Sequence, residues 1–355
     1  MNSRLEKVRR IIQQKELDGV FISDPVNRRY LSGFTGSTGY LLITRGKRLF
    51  ITDFRYVQQA KQQCEGFEVV ELPRDILEKI NELVVELNIR DLGFEDGHVS
   101  FMQYTGMKEK LERTYLHPLG EAINHLRMVK NADEIRLIKT AVGITEKALE
   151  HIKPYIKPGV KEREIALEIE YFMRKKGASA AAFDFIVASG WRSALPHGVA
   201  SDKTIQDGEL ITLDIGCKYE GYCSDMTRTF VVGTYSPKQR EIYDIVLEAQ
   251  TQVLSLMKPG MTGIEVDSIA RDVIERAGYG EYFGHGLGHG VGLQIHESPS
   301  LSQKGKTVLE PGMVVTVEPG IYLPDFGGVR IEDLVVIKED GIENLNNSSK
   351  ELTTI

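Results

Sequence analysis

"KPGVKEREIALEIEYFMRKKG", residues 157–177, recurs without a gap as "KPGMTGIEVDSIARDVIERAG", residues 258–278. Further on, "DGELITLD" (207–214) aligns with "PGMVVTVE" (311–318). The offsets are 101 and 104, so order and spacing are both kept. Two amphipathic helices could resemble each other by chance, but a second matched segment at nearly the same offset argues for a true internal repeat. A histidine precedes each second element, His197 in "PHGVASD" and His296 in "IHESPS". The pattern predicts two helix-plus-sheet halves related by a pseudo-two-fold.

The acids inside this repeat carry the chemistry. "LITLDIGCKYEGYCSDMTRTFVV" reads as two strands around a turn at Tyr219 to Gly221. Asp214 and Asp225 are symmetric about that turn, so a simple hairpin places them opposite each other. In the second half, Glu318 and Glu332 are symmetric about Asp325, inside the turn signal "LPDFGG". Like charges facing each other across a sheet destabilise it. Four inward-facing acids on apolar strands are an electrostatic fault unless cations neutralise them.

Within the second half, between its helix and its strand, runs "HGLGHGVGLQIHE", residues 285–297, with three histidines. Two histidines four apart suggest a zinc helix, but that reading fails here. Gly284, Gly286, Gly288, Gly290 and Gly292 put five glycines in nine residues, each costing a helix about 1 kcal/mol relative to alanine. No glutamate follows His285 directly. The stretch reads instead as a bent or closely approached backbone that presents its histidines singly. With His289 added, four carboxylates and one imidazole form an oxygen-rich donor set. Such a set suits manganese, cobalt or iron, or a carboxylate-bridged pair of zincs. Its ligand count and charge suffice for two divalent ions.

The rest of the chain sets the frame. At 355 residues, 41% hydrophobic and 27% charged, it reads as a globular protein of about two domains. A net charge of −7 offers no footprint for nucleic acid. Three cysteines, Cys64, Cys217 and Cys223, lack disulfide-framework or zinc spacing. No apolar run approaches a membrane span, so the expected location is the cytoplasm. Leu5, Val8, Ile11 and Ile12 share one helical face, with Gly19 as the expected stop. "GVFIS", "GYLLIT" and "RLFIT" read as strands, and "ILEKINELVVEL" as a helix. Asn131 and Glu134 form a capping box that opens a long helix. The expected class is α+β, with an α/β domain over 1–125 and the repeat-bearing domain over 126–355.

The ordered set "LDIG", "SDMTRT", "HGLGHGVGLQIHE", "VEPGIY" and "VRIED" resembles the creatinase/prolidase family of metallopeptidases with the pita-bread fold. "NRRYLSGFTGSTGYLLIT" and "TDFRY" resemble that family's N-terminal domain, which methionine aminopeptidases lack. The resemblance implies two divalent metal ions, manganese first and cobalt, zinc or iron as alternatives. Asp214 would bind one ion, Asp225 and Glu332 would bridge both, and His289 and Glu318 would complete the second. Glu318 would also shuttle a proton toward the leaving nitrogen. His197, His285 and His296 would contact the substrate and the reacting centre, and Arg330 and Tyr322 would tune the site. Phe183, in "AFDFIVASG", would wall a proline pocket. The substrates implied are proline-containing peptides, and relatives commonly form homodimers. Creatinase and certain histone-binding proteins use the fold without metals, but here all five ligand positions are intact.

Substrate length divides the family. A dipeptidase must hold the free carboxylate beyond proline, and no arginine or lysine lies between 284 and 297. The expectation is therefore an Xaa-Pro aminopeptidase, with an Xaa-Pro dipeptidase as the alternative.

Overall fold

The computed structural model describes residues 3–72 and 74–355. The chain divides into two compact units, Met1–Arg127 and Met128–Ile355. No helix among the described residues is long and apolar enough to cross a membrane.

The first unit is a six-stranded mixed sheet. Its spatial order is Glu68–Glu71, Arg48–Thr52, Tyr40–Thr44, Gly19–Ile22, Asp91–Phe94 and Tyr115–Pro118. The three strands expected from apolar runs are present, as are the helices Ser3–Gln14 and Ile76–Glu86. The first helix does not stop at Gly19. It ends at Gln14, Glu16 adopts φ 55, and the Leu17 amide donates to the Ile12 carbonyl. A left-handed residue closes the helix, and Gly19 already opens the next strand.

The second unit carries the repeat. Helix Glu162–Lys175 and helix Gly263–Arg276 occupy equivalent places, 101 residues apart at both ends. Each packs on a long partner, Ala132–Ile152 in the first half and Pro237–Leu256 in the second. The first of these opens with the Asn131–Glu134 capping box. Each helix pair covers its own sheet. The first is the three-stranded sheet Ile186–Ser189, Leu210–Ile215, Met226–Val231. The second has five strands, with Val314–Val317 and Asp333–Lys338 paired near its middle.

Strand periodicity then decides what faces where. Ile211, Leu213 and Ile215 pack beneath the first helix pair with Ile165 and Ile169. Val315, Val317, Val335 and Ile337 pack beneath the second with Val246 and Val266. The intervening positions, including Thr212, Asp214 and Thr316, are left to the opposite face.

The two hairpins differ from the expected symmetry in one respect. Val317 pairs with Asp333 and Gly320 with Arg330, so Glu318 and Glu332 occupy matching positions in the short gap between those ladders. In the first hairpin, Asp214 pairs with Thr227 and Tyr219 with Tyr222. The turn is Glu220–Gly221, with φ 48 and 88, the two positive angles of a type I′ hairpin. Asp225 is therefore the diagonal neighbour of Asp214 on the same face, not its direct partner.

Candidate metal centre

Five acids and histidines converge where the two sheets meet. Asp225, His289 and Glu332 each offer a ligand atom within 4.8 Å of the others. His289 Nε2 also lies 3.4 Å from Glu318 Oε1 and 3.7 Å from Asp225 Oδ2. Asp214 approaches from the facing strand and accepts Arg330 Nη2 at 2.6 Å. All five line a cleft of about 390 Å³.

The local backbone explains how they meet. A Cβ on Gly288 would sit 2.2 Å from the Thr316 carbonyl oxygen, so only glycine lets His289's short strand reach its neighbour. The glycine-rich stretch is thus closely approached, as its composition suggests. Thr316 Oγ1 accepts the His289 amide at 3.0 Å and donates to Glu318 Oε1 at 3.0 Å.

Hydrogen-bond chemistry fixes the histidine tautomers. His289 Nδ1 faces the Gly290 carbonyl at 3.1 Å. A carbonyl only accepts, so Nδ1 carries the proton. Burial lowers the His289 pKa, so the ring is neutral and its Nε2 lone pair points at carboxylate oxygens. That arrangement is repulsive unless a carboxyl proton or a cation lies between the donors, and it is the tautomer a metal ligand needs. Asp214 Oδ1 is buried without a hydrogen-bond partner, a second free donor atom at the centre. Burial, reinforced by Glu332, Asp214 and Glu318, pushes the Asp225 carboxyl far above its usual range. Burial does the same to Glu332, with Glu318 and Asp214 adding to it. Donor types, spacing and this excess of negative charge all fit divalent metal ions.

The outer residues fall into two groups. Phe183, His197, His285, His296 and Arg330 line the cleft. The His296 ring meets that of His289 edge-on at 4.3 Å. Tyr322 is not among the cleft-lining residues. Its hydroxyl accepts Arg330 Nη1 at 2.9 Å and lies 2.8 Å from His285 Nε2. His285 Nδ1 faces the Gly286 carbonyl at 2.8 Å, and burial lowers this ring's pKa too. Nε2 is therefore the acceptor, and Tyr322 donates to it. A chain of bonds runs from Asp214 through Arg330 and Tyr322 to His285. Arg330 is the one arginine lining the cleft among the described residues, and no described lysine lines it.

Two threonines also support the acids. Thr227 Oγ1 donates to Glu332 Oε2 at 2.6 Å and accepts Arg330 Nε at 3.1 Å. Thr227 and Thr316 each stand two residues from an acid. That spacing puts both on the acids' face of their strands, a signal the period-two pattern could have supplied. Ser300 and Ser302 also line the cleft, their hydroxyls 2.9 Å apart.

Comparison with known proteins agrees with this geometry. Residues 136–339 match the model of metallopeptidase family M24, and residues 4–129 match the creatinase/prolidase N-terminal domain. The Xaa-Pro dipeptidase of Pyrococcus furiosus is 46% identical, over 99% of this chain and 100% of its own. A solved Xaa-Pro dipeptidase from Bacillus anthracis superposes with TM-score 0.98 at 48% identity, covering 99% of both chains. A solved X-Pro aminopeptidase from Thermotoga maritima gives TM-score 0.91 at 42% identity, over 98% of this chain and 100% of the other. The α+β architecture and the peptidase class expected from the sequence both hold, and the chain belongs to metallopeptidase family M24, with a creatinase/prolidase N-terminal domain.

Proposed function

We propose that this peptidase is an Xaa-Pro dipeptidase working with two divalent metal ions, manganese first among them. Asp214, Asp225, His289, Glu318 and Glu332 would hold the ions. The observation that carries the metal reading is the neutral His289 ring aimed at carboxylate oxygens 3.4 and 3.7 Å away. When bound, such ions supply Lewis-acid polarisation of the scissile carbonyl and lower the pKa of water.

The chain's own residues do the rest. Burial raises the Glu318 pKa, although His285 and Arg330 oppose it. A carboxylate so placed can take a proton and pass it to the leaving prolyl nitrogen. His285, held by Tyr322 in its Nδ1–H form, presents a fixed ring to the cleft. His197 and His296, which line the same cleft, would contact the substrate, and Phe183 would wall the proline.

Dipeptidase replaces the aminopeptidase expected from the 284–297 stretch. Full-length relatives named Xaa-Pro dipeptidase support it. The missing cation in that stretch does not decide the matter, because the carboxylate can be met elsewhere. One observation still favours the aminopeptidase, namely that the one arginine lining the cleft among the described residues is committed to Asp214. Comparing kcat/KM on an Xaa-Pro dipeptide and an Xaa-Pro-Xaa tripeptide decides between them. Dipeptidase predicts a dipeptide preference of about tenfold or more, roughly 1.4 kcal/mol of transition-state discrimination. Equal rates or a tripeptide preference sink it. Full activity after exhaustive chelation would sink the metal reading. The physiological form is expected to be a cytoplasmic homodimer, and a fully active monomer at micromolar concentration would refute the dimer.

A further inference from the structure

Behind the acids lies a second polar network with a buried centre. Arg228 and Asp333 are 1% and 0% exposed. Arg228 alternates with Thr227, so its side chain leaves the opposite face of the strand, alongside Met226 and Phe230. Its guanidinium spends every N–H. Nη1 donates to the carbonyls of Glu332 at 2.6 Å and Thr227 at 2.9 Å. Nη2 donates to Asp333 Oδ1 at 2.7 Å and the Ser348 carbonyl at 3.0 Å. Nε donates to the Ser349 carbonyl at 3.0 Å. Asp333 Oδ2 accepts from Gln250 at 2.9 Å, Asn344 at 2.8 Å and Lys350 at 2.9 Å.

Stability alone does not call for this arrangement, because well-packed apolar residues often replace a buried ion pair without loss. Its geometry points to position. Arg228 grips the backbone of Glu332 and of Thr227, the residue whose hydroxyl holds the Glu332 carboxylate at 2.6 Å. The Glu332 amide returns a bond to the Thr227 carbonyl at 3.1 Å. Ligand backbone and ligand side chain are thus set from one point. The segment 344–350 closes over that point through Asn344, Ser348, Ser349 and Lys350. Glu146 in turn pins the segment by accepting the Asn347 and Ser348 amides at 2.5 and 2.7 Å.

We propose that the Arg228–Asp333 pair, clasped by Asn344–Lys350, is a positioning device that holds the Glu332 carboxylate in its metal-binding geometry. Residues that do not line the cleft thereby take part in shaping it. The inference rests on Glu332 being a ligand, and the experiment separates the two claims.

Full-length protein, stripped of metal, is titrated with Mn²⁺ against a fluorescent chelator, comparing wild type with Glu332→Gln, Asp333→Asn, Lys350→Met and Val246→Ala. Val246 is a core residue with 0% exposure in the second half, so its variant reports destabilisation without repositioning. Asp333→Asn is expected to weaken Mn²⁺ binding about 10- to 100-fold, the range seen when outer partners of metal ligands are removed. Lys350→Met, at the accessible edge of the network, should weaken it severalfold, with an unchanged circular dichroism spectrum and turnover recovering at saturating Mn²⁺. Val246→Ala should lower the melting temperature and keep wild-type affinity. Wild-type affinity in folded Asp333→Asn and Lys350→Met, with loss in Glu332→Gln, overturns the positioning role. Wild-type affinity in Glu332→Gln overturns the ligand assignment instead. If Asp333→Asn does not fold, Lys350→Met decides.

Discussion

Replacing Asp225 by asparagine should reverse sign with metal. Asp225 is 4% exposed, and its ligand oxygen lies within 4.8 Å of a Glu332 oxygen. Two unit charges that far apart repel by about 3.5 kcal/mol at an effective dielectric constant of ~20. The metal-free protein relieves part of this by holding protons, since burial and the neighbouring acids push Asp225 far above its usual range. Whatever repulsion protonation does not relieve is left as a cost to the metal-free fold. Asparagine removes the charge, and its amide finds acceptors in the surrounding carboxylates. The metal-free variant should therefore melt higher than metal-free wild type, by ~2–4 °C per kcal/mol for a unit of this size. With metal the order inverts. At a hundredfold excess over Kd, binding stabilises wild type by about 2.7 kcal/mol, and the variant forfeits this gain. Asp202→Asn is the control. Asp202 is 61% exposed and pairs with Arg163 and Lys161 at the surface, so its loss should cost less than ~1 kcal/mol in either state. Differential scanning calorimetry of chelated and Mn²⁺-loaded protein measures all three. The reasoning is refuted if Asp225→Asn melts lower than wild type without metal, or retains the full metal-induced shift.

Other outcomes follow from the same geometry. His289→Ala should lower bound metal measured by mass spectrometry, whereas His296→Ala should leave metal in place and reduce mainly kcat; equal metal loss would make both residues ligands. Burial and like charge raise the folded pKa values of Asp225 and Glu332, so their contribution to metal-free stability is present below the ordinary carboxylate range and lost as pH rises through the raised values. The melting temperature of chelated protein should therefore fall as pH increases from the ordinary carboxylate range toward neutrality, and the metal-induced gain should grow; a flat profile would show that the acids are not mutually exposed.

How far the sequence could foretell this site depends on which interactions are local. Glu318 and Glu332 were placed correctly because a symmetric ladder brackets their turn, so position about Asp325 is enough. Asp214 and Asp225 came out one step wrong in partner yet right in face. The two-residue turn Glu220–Gly221 moves the register by two, and a shift of two leaves every side chain on its own side. That is why all five residues line one cleft despite the different register. Helix repeats likewise reported the two halves, because amphipathic periodicity and spacing are written in each segment. The Glu16 stop was harder to see, since a left-handed glutamate carries no compositional signal.

What stayed hidden depends on partners distant in the chain. Arg228 and Asp333 read as ordinary charges within apolar strands, and their meaning emerges only when residues 105 apart meet. Tyr322 does not line the cleft itself, and it acts on the site through its hydroxyl, which is held by Arg330 and His285. Substrate length is the extreme case. A carboxylate can be met by a cation, by hydroxyls such as Ser300 and Ser302, or by histidines from a different loop. One stretch without arginine therefore excludes only one of those solutions. Metal ligands are specified by mutual repulsion that must be cancelled at one place, so their pattern is strict and can be read. Recognition of a free chain end needs only complementary donors somewhere along a cleft wall, and many arrangements of residues meet that requirement.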